Sequence, residues 1–236
     1  MVSVCLATYN GELFIKEQIQ SIIPELENED EIIISDDGST DNTLPIIRNF
    51  KDSRIKIFIN KETQGVNNNM ENAIRKASGD IIFLSDQDNV WIKGKIEKCV
   101  KALENYDCVI HDCIVTNNEL TPINNSIFKD HKPRKGFLRN LYKNSFTGCC
   151  MAFKKETLFQ ILPFPNSKKF YYDQWIGLRI AQRGKIKLLQ EPLLYLRRHN
   201  HTLSSVGRKS TLSIICKISY RLILLRYLLT HKPCNR

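Results

Sequence analysis

The first half of the chain alternates short, almost continuously apolar segments with amphipathic ones, and this alternation constrains the fold more than any other feature. The apolar segments predict strands at residues 2–7, 31–35, 54–59, 80–84 and 108–115. Helical periodicity lies between them at residues 12–23, 67–78 and 92–103, and Pro45 marks the first turn of another helix. Apolar strands that alternate with helices are typical of a parallel sheet covered on both faces. We therefore expect an α/β fold.

The second half gives weaker signals. Residues 117–135 are rich in Asn, Pro and Lys and predict a loop. We predict a strand at 149–153, a helix at 173–183, one or two strands within 186–196 and a last helix at 210–230. The 236 residues allow one large domain, or one domain with a tail.

Composition and short motifs exclude several classes of protein. With 42% hydrophobic and 25% charged residues, the chain is neither disordered nor collagen-like. It has no apolar run of about 18 residues and no basic leader, so we expect a cytoplasmic protein. Its eight cysteines form no C-x-x-C pair, which predicts buried reduced thiols rather than zinc ligands or disulfides. The glycine motifs of P-loop and dinucleotide-binding proteins and the G-x-S-x-G elbow are also missing.

Positive charge is concentrated near the end of the chain. The net charge is +10, and residues 174–236 contain 13 Lys/Arg but one acidic residue, Glu191. Such a segment is expected to face nucleic acid, phosphates or an acidic membrane. The last helix has an apolar stripe of Ile214, Ile218, Leu222, Leu225 and Leu229. It would either pack on the domain or in a homodimer, or lie on an anionic membrane near a lipid-linked acceptor.

Three polar clusters follow three predicted strands: Thr8-Tyr9-Asn10, Asp36-Asp37 and Asp86-Gln87-Asp88. Each cluster alone is an ordinary turn sequence. In an open α/β sheet, however, ligands bind at the carboxyl ends of the strands, so three such clusters indicate one crevice. Asp86 and Asp88 can converge on Mg²⁺ or Mn²⁺, and a metal held in this way can neutralise a diphosphate leaving group.

The order of the motifs carries a family resemblance. The motifs are A-T-Y-N-G-E at residues 7–12, S-D-D-G-S-T-D-N-T at 35–43, Gly65, S-G-D at 78–80, S-D-Q-D-N-V-W at 85–91, Gly148, Y-D-Q-W at 172–175 and the segment 195–199. Over residues 2 to about 205 the sequence resembles the family 2 glycosyltransferases of the GT-A fold. The S-D-Q-D-x-x-W form is most similar to bacterial enzymes that build surface polysaccharides, including rhamnosyltransferase-like members.

The resemblance implies a role for each matching residue. Thr8 and Asp37 would hold the nucleotide base, Asp86 would lie near the ribose and metal, Asp88 would bind the metal, and Asp173 would be the general base. His199 would contact the metal or the diphosphate, although a solvated basic loop is the alternative for this residue. Asp173 would also suit a helix N-cap. The residues expected to bind the nucleotide are Thr8, Tyr9, Asn10, Glu12, Asp37, Gly65 and Asp86. The candidates for contacts with the donor or acceptor are Asp112, Trp91, Trp175 and Arg198. Arg197 could also pair with a phosphate group.

The implied fold is a GT-A (Rossmann-like) mixed, mostly parallel sheet with flanking helices. Residues 1–207 would form the transferase domain, with a nucleotide-binding half at 1–90 and an acceptor-binding half at 91–207, and residues 208–236 would form a basic helical tail. The chemistry would be inverting, Mn²⁺- or Mg²⁺-dependent transfer from a nucleotide-sugar donor, dTDP-rhamnose or a UDP-sugar, to a saccharide or lipid-linked acceptor in capsule, O-antigen or cell-wall polysaccharide synthesis. The protein would then lie in the cytoplasm or on the inner face of the plasma membrane. One departure from the family pattern is Asn67-Asn68-Asn69 after the glycine.

Two other functions compete with this one. A nucleic-acid-binding protein or metal-dependent nuclease would use the basic tail for phosphates and Asp86 and Asp88 for metal. Its basic residues are confined to the last quarter and no nucleic-acid motif is present, so we expect no nucleic-acid partner. A catalytically inactive sugar- or nucleotide-binding module would not need both Asp88 and Asp173.

Overall fold

The computed structural model describes residues 1–61, 63–167, 169–199 and 213–231. Its strands are β1 (Val2–Thr8), β2 (Glu31–Asp36), β3 (Ile55–Ile59), β4 (Ile81–Asp86), β5 (Val90–Trp91), β6 (Cys108–Thr116), β7 (Pro122–Asn124), β8 (Met151–Lys154) and β9 (Ile186–Arg197). Its helices are α1 (Ile15–Ile22), α2 (Thr43–Arg48), α3 (Val66–Lys76), α4 (Lys95–Leu103), α5 (Ile127–His131), α6 (Phe137–Tyr142), α7 (Leu158–Ile161), α8 (Tyr172–Arg183) and α9 (Ile214–Thr230).

All strands belong to one mixed sheet with the order β3-β2-β1-β4-β8-β6-β9-β5, and β7 pairs with β6. The strands β3, β2, β1 and β4 are parallel, as their apolar, buried sequences predict. The short strand β8 is antiparallel to both β4 and β6, and β9 runs parallel to β6. The fold is therefore the mixed, mostly parallel α/β sheet expected from the sequence.

The register of the parallel strands brings the polar clusters together. Thr8 at the end of β1 pairs with Asp36 at the end of β2, and Ala7 pairs with Asp86 at the end of β4. Because β1 lies between β2 and β4, the three strands end at the same edge of the sheet. The predicted convergence at one edge is confirmed.

Some elements differ from the prediction. Helix α1 begins at Ile15, three residues late, because the backbone N–H groups of Phe14 and Ile15 both donate to Gly11 in a preceding turn. The segment predicted as a loop at 117–135 contains β7 and α5, and the hydroxyl of Ser126 caps α5 by accepting from the N–H of Lys129. A 3₁₀ turn at Gly148–Cys150 replaces the start of the strand predicted at 149–153.

The thiols are mostly as predicted. Six cysteines are buried and free: Cys5, Cys99, Cys108, Cys113, Cys149 and Cys150. Cys216 is also free, but it is exposed on α9, so the prediction of burial is wrong for this residue. Cys234 lies outside the described residues.

Helix α9 packs on the domain through a different face from the predicted stripe. Leu224 and Leu228 are buried, whereas Ile218, Leu222 and Leu229 of the stripe are exposed. The boundary at 207/208 and the ends of the tail, at 208–212 and 232–236, lie outside the described residues. Within the described ranges, every helix is too short or too polar to cross a membrane.

Candidate active site

Asp86 lies at the carboxyl end of β4, within the strand-end cluster. Its Oδ1 accepts a hydrogen bond of 2.8 Å from the hydroxyl of Tyr172, the first residue of α8. Burial and the nearby charge of Asp88 raise the pKa of Asp86 to about 6, against the lowering effect of hydrogen bonds from Tyr172 and Cys149. This hydrogen bond joins the strand end to the start of α8.

Asp88 and His199 form a pair beside Asp86. His199 Nε2 lies 2.9 Å from Asp88 Oδ2, and the two side chains are 10% and 17% exposed. The imidazole ring packs on Phe14, with 4.7 Å between the ring centroids. The structure thus brings together the two residues that the sequence predicts as metal ligands, on segments 111 residues apart.

The donor set suits a divalent cation that is shared with a substrate. A carboxylate oxygen and an imidazole nitrogen are usable ligands for Mn²⁺ and, through the oxygen, for Mg²⁺. Across the described part of the chain, no group of three His, Cys, Asp or Glu side chains is arranged to hold a metal. Because Mg²⁺ sites commonly take one or two carboxylates and complete their coordination with phosphates and water, two protein ligands fit such an ion.

Asp173 is the second residue of α8 and faces the same cluster. Its Oδ1 accepts a 2.7 Å hydrogen bond from the N–H of Gln174, and the N–H of Gly148 also donates to it. Burial, with a contribution from the charge of Asp86, raises the pKa of Asp173 to about 7 despite these hydrogen bonds. The N-cap of α8 is Tyr171, so Asp173 is not the capping residue. A carboxyl group with this pKa can exchange a proton near neutral pH.

Asn67, in the segment that departs from the family pattern, fixes the approach to α8. Its amide nitrogen donates to the carbonyls of Ser167 and Phe170, and its Oδ1 accepts a 2.8 Å hydrogen bond from the N–H of Tyr172. These bonds join the first turn of α3 to the residues that precede Asp173. The sequence analysis missed this role, because the partners lie about 100 residues away along the chain.

Asp37 and Gly65 lie together on the other side of β1. Asp37 accepts from Asn60 Nδ2 at 2.7 Å and from the N–H of Gly65 at 2.8 Å. Gly65 has φ +133°, a conformation that strongly favours glycine, and the space beside its Cα is open. Asp37, a predicted base-binding residue, and Gly65, a member of the predicted nucleotide-binding set, are therefore neighbours, with an open space at the glycine.

The remaining nucleotide candidates mainly order the surrounding loops. The hydroxyl of Thr8 donates to Asp36 at 2.9 Å and is buried. Asn10 Oδ1 accepts from the N–H of Thr40, and Glu12 accepts from the backbone and side chain of Asn42. These side chains connect the loop after β1 to the loop after β2, and their contact with a nucleotide stays a prediction.

Gln87, which stands between the two aspartates, is a second residue that the sequence analysis missed. Its side chain accepts from the N–H of Tyr9 at 2.8 Å and donates to the carbonyl of Tyr9 at 3.0 Å. A Cβ atom on Gly11 would lie 2.4 Å from Gln87 Oε1, so any other residue there would displace the Gln87 side chain. Gln87 thereby holds the loop after β1 against β4, while the ring of Tyr9 stays exposed.

The structure does not favour three of the candidates for donor or acceptor contacts. Trp91 and Trp175 are buried in the core, and the indole of Trp175 donates to the carbonyl of Ile161. Asp112 is buried, and it accepts from the hydroxyl of Ser126 and from the N–H groups of Cys113 and Phe128. Their surfaces are occupied by the protein itself, so we do not carry these three residues into a functional assignment.

Arg197, the last residue of β9, and Arg198, which follows it, differ in burial and in their contacts. Arg197 is buried, pairs with Glu17 and donates to the carbonyl of Asn118, which corrects the expectation that it faces a phosphate. Arg198 is half-buried, and its N–H donates to the carbonyl of Thr116. Its contact with phosphate stays a prediction.

Lys95 lies fully buried beneath the cluster, and nothing in the sequence singled it out. Its ammonium group donates to the carbonyl of Cys149 at 2.9 Å and lies 3.9 Å from the centre of the Trp91 ring. Burial lowers the pKa of Lys95 below its usual value. Its charge also lowers the pKa of Asp86, so the site has a cation behind its carboxylates.

Comparisons with known proteins show which sequences and structures this chain is similar to. A curated relative, the UDP-Glc:alpha-D-GlcNAc-diphosphoundecaprenol beta-1,3-glucosyltransferase WfgD of Escherichia coli, is 29% identical over 75% of this chain and 69% of its own. The dTDP-rhamnosyl transferase RfbG of Shigella flexneri is 34% identical over 70% of this chain, and the match spans 58% of that protein.

Solved structures share the fold at lower sequence identity. TarS 1-349 of S. aureus in complex with UDP-GlcNAc superposes with a TM-score of 0.71 at 19% identity, over 97% of this chain and 73% of that one. The glucosyl-3-phosphoglycerate synthase of Mycobacterium tuberculosis with Mn²⁺, UDP-Glc and phosphoglyceric acid gives a TM-score of 0.62 at 20% identity, over 94% of this chain and 79% of that one. The profile described as "Glycosyl transferase family 2" matches residues 3–161, more than half of the sequence. The chain therefore belongs to glycosyl transferase family 2 and is a glycosyltransferase.

Proposed function

We propose that this enzyme transfers a sugar from a nucleotide diphosphate donor to a saccharide or lipid-linked acceptor, with inversion at the anomeric carbon. The observation that carries the proposal is the convergence of Asp86, Asp88, Asp173 and His199 at one edge of the sheet, on three separate segments. The types of these groups match the needs of the reaction: oxygen and nitrogen ligands for a cation, and a carboxylate that can accept a proton.

The nucleotide would lie along the ends of β1, β2 and β4. Asp37 and the open space at Gly65 would receive the base, and Asp86 would face the ribose. The loops tied by Asn10, Glu12 and Gln87 would keep this surface in shape before the donor binds. Such preorganisation reduces the entropic cost of binding.

Asp88 and His199 would hold Mn²⁺ or Mg²⁺ together with the donor's diphosphate. When bound, the cation would stabilise the negative charge of the departing diphosphate. The Mn²⁺ in the superposed synthase supports a divalent metal.

Asp173 would accept the proton of the acceptor hydroxyl as that oxygen attacks the anomeric carbon from the face opposite the diphosphate. One proton moves from the hydroxyl to the carboxylate, one C–O bond forms and the bond to the diphosphate breaks, so the configuration inverts. A pKa of about 7 makes Asp173 a stronger base than an ordinary carboxylate.

The acceptor would be a bacterial surface glycan or its lipid-linked precursor. Relatives whose names specify diphosphoundecaprenol acceptors and rhamnosyl transfer support this class. The donor would be a UDP-sugar or dTDP-rhamnose. Association with the membrane would be peripheral.

Thermal denaturation with a panel of UDP, dTDP and GDP, with and without Mn²⁺ or Mg²⁺, tests the proposal. A ligand that binds only the folded state raises the Tm by mass action, so we expect a metal-dependent increase with one of the three nucleotides. Asp88→Ala should abolish the metal dependence and reduce turnover at least about 100-fold. Asp80→Asn, an exposed aspartate that precedes β4, is the matched control and should behave as wild type. The proposal would be contradicted if none of the three nucleotides raised the Tm in the presence of either Mn²⁺ or Mg²⁺.

A further inference from the structure

A surface cavity of about 150 Å³ lies between α6, α8 and α9, on residues that the strand-end site does not use. Three cations, Lys169, Lys217 and Arg221, line it together with apolar side chains such as Phe170 and Leu224. None of the described residues that line the cavity is acidic. The combination of several cations with an apolar wall suits an anionic group attached to a hydrocarbon chain.

Two of the cations are held in place by neutral groups. The Nε of Arg221 donates to the carbonyl of Tyr142 at 2.8 Å, and its guanidinium lies 4.5 Å from the centre of that ring. The ammonium of Lys169 lies 5.2 Å from the centre of the Tyr220 ring. Because these partners carry no charge, they orient the cations without cancelling them.

The cavity adjoins the proposed base. Gln174 lines it, and the N–H of Gln174 donates to Asp173. Asp173 and the cavity therefore share the first turn of α8. The exposed apolar side chains of Ile215, Ile218 and Leu222 lie on the same helix as Lys217 and Arg221.

We propose that this cavity binds the phosphate or diphosphate through which the acceptor saccharide is attached to its lipid. The inference rests on the proposed function and specifies its acceptor class. Lys169, Lys217 and Arg221 would contact the phosphate oxygens, and the apolar wall would contact the first carbons of the lipid. The enzyme would then have two phosphate sites, one for the donor at Asp88 and His199 and one for the acceptor here.

Binding of farnesyl diphosphate to the full chain tests the cavity directly. The titration is run in EDTA, so that no metal can recruit the probe to Asp88. We expect Lys217→Ala/Arg221→Ala to weaken binding at least tenfold, because each charge-assisted hydrogen bond contributes about that factor. Arg226→Ala removes one positive charge from an exposed position of α9 outside the cavity and should leave binding unchanged. Equal affinity in wild type and double variant would overturn the proposal.

Three further probes separate the sources of the anion. Farnesol should bind at least tenfold more weakly than farnesyl diphosphate, and inorganic diphosphate should also bind more weakly because it lacks the hydrocarbon. Inorganic diphosphate that binds as tightly as farnesyl diphosphate would indicate a site for a free anion and overturn the lipid assignment. If the double variant loses binding to phosphatidylglycerol vesicles but keeps its affinity for farnesyl diphosphate, the cations serve a general membrane surface and the proposal is also wrong.

The nucleotide response distinguishes this inference from the proposed function. The double variant should retain the metal-dependent Tm increase of the wild type, since its substitutions lie outside the donor site. In sugar transfer to a lipid diphosphate acceptor, the double variant should have a higher KM for the acceptor than wild type and the same KM for the donor. A wild type without any nucleotide response refutes the proposed function, whereas a normal response combined with unaltered farnesyl diphosphate binding in the variant refutes the cavity alone.

Discussion

At the scale of single residues, the site contains ionisable groups that the fold partly shields from water. Asp173 is the one whose charge the proposed reaction needs, and burial raises its pKa to about 7. The titratable groups around it are Asp86 at the end of β4 and Tyr172 beside it on α8, and the charge of Asp86 adds to the effect of burial. The carboxylate is thus a base with a proton affinity suited to neutral pH.

Asp173→Asn should lower kcat by about 10²–10⁴-fold, the usual contribution of a general base. Asn can still accept the hydrogen bond from Gln174, so donor affinity and the nucleotide-dependent Tm increase should remain. In the wild type, kcat should rise with pH through about 7, because the carboxyl group must lose its proton to act as a base. Steady-state kinetics from pH 5.5 to 9 provide the test, and normal turnover of the variant would show that Asp173 is not the base.

Lys95 is the second residue whose charged form is disfavoured by burial. Its ammonium group supports the 3₁₀ turn at Gly148–Cys150 through the carbonyl of Cys149. That turn touches both Tyr172, which leaves no room for a Cβ on Gly148, and Asp173, which accepts from the N–H of Gly148. The lysine therefore supports the site from within the core.

Lys95→Met should lower kcat by about tenfold, a typical cost of losing a residue that orients the groups in direct contact with substrate. The free energy of unfolding should change by less than about 2 kcal/mol, because removing a buried charge offsets the lost hydrogen bond. Denaturant unfolding and kinetics on the same samples separate the two effects. A large loss of stability with unchanged kcat would mean that Lys95 serves the core alone.

At the scale of elements, the sequence predicted the strands and their ends better than the links between distant segments. The apolar runs of β1, β2 and β4 are local signals, and the parallel register then places their polar ends at one edge. The helices α5, α6 and α7 and the strands β5 and β7 were not predicted, because they have two to six residues and depend on neighbours for their stability. The hydrogen bonds of the Asn67 side chain to the backbone before and at the start of α8 were not predicted either, because sequence periodicity carries no information about a contact between residues 100 positions apart.

The link between α3 and α8 gives a prediction at this scale. Asn67→Ala removes the bonds to Ser167, Phe170 and Tyr172, which should lower kcat about 10–100-fold with little change in donor affinity. The neighbouring Asn68→Ala removes a single bond to Thr63 and should be nearly silent. Kinetics at a fixed donor concentration measure the change in kcat, and a donor titration measures the change in donor affinity. If the two variants lose activity equally, α3 does not position Asp173 through Asn67.

At the scale of the whole molecule, the two edges of the sheet differ in their electrostatics. The carboxyl edge raises the pKa of Asp173, whereas the amino edge holds Glu31 at the start of β2. Burial alone would raise the pKa of Glu31, but hydrogen bonds from Lys56, Ser3 and Ser78 lower it to about 2. Glu31 thereby ties β1, β3 and the segment before β4 to β2. The ionised carboxylate of Glu31 therefore stabilises the fold, whereas that of Asp173 destabilises it.

This difference predicts opposite stability changes for two substitutions of a carboxylate by its amide. Asp173 keeps its proton in the folded state up to about pH 7 but loses it near pH 4 when unfolded. The free energy by which Asp173 destabilises the folded protein therefore increases from pH 4 to pH 7. Asp173→Asn should therefore gain stability over wild type across that range, by at most about 4 kcal/mol at pH 8. Glu31 stabilises the fold above about pH 4.5, and this contribution disappears as the pH falls to about 2. Glu31→Gln should cost up to about 3 kcal/mol at pH 7 and almost nothing at pH 2.

Urea unfolding of the metal-free protein at several pH values measures these differences. Each variant is compared with wild type at the same pH, so that other groups, including the buried His111, cancel from the comparison. If the difference in unfolding free energy between each variant and wild type did not change with pH, the fold would not shift the pKa of either carboxylate. Opposite slopes would show that the fold disfavours the ionised form of Asp173 and favours the ionised form of Glu31.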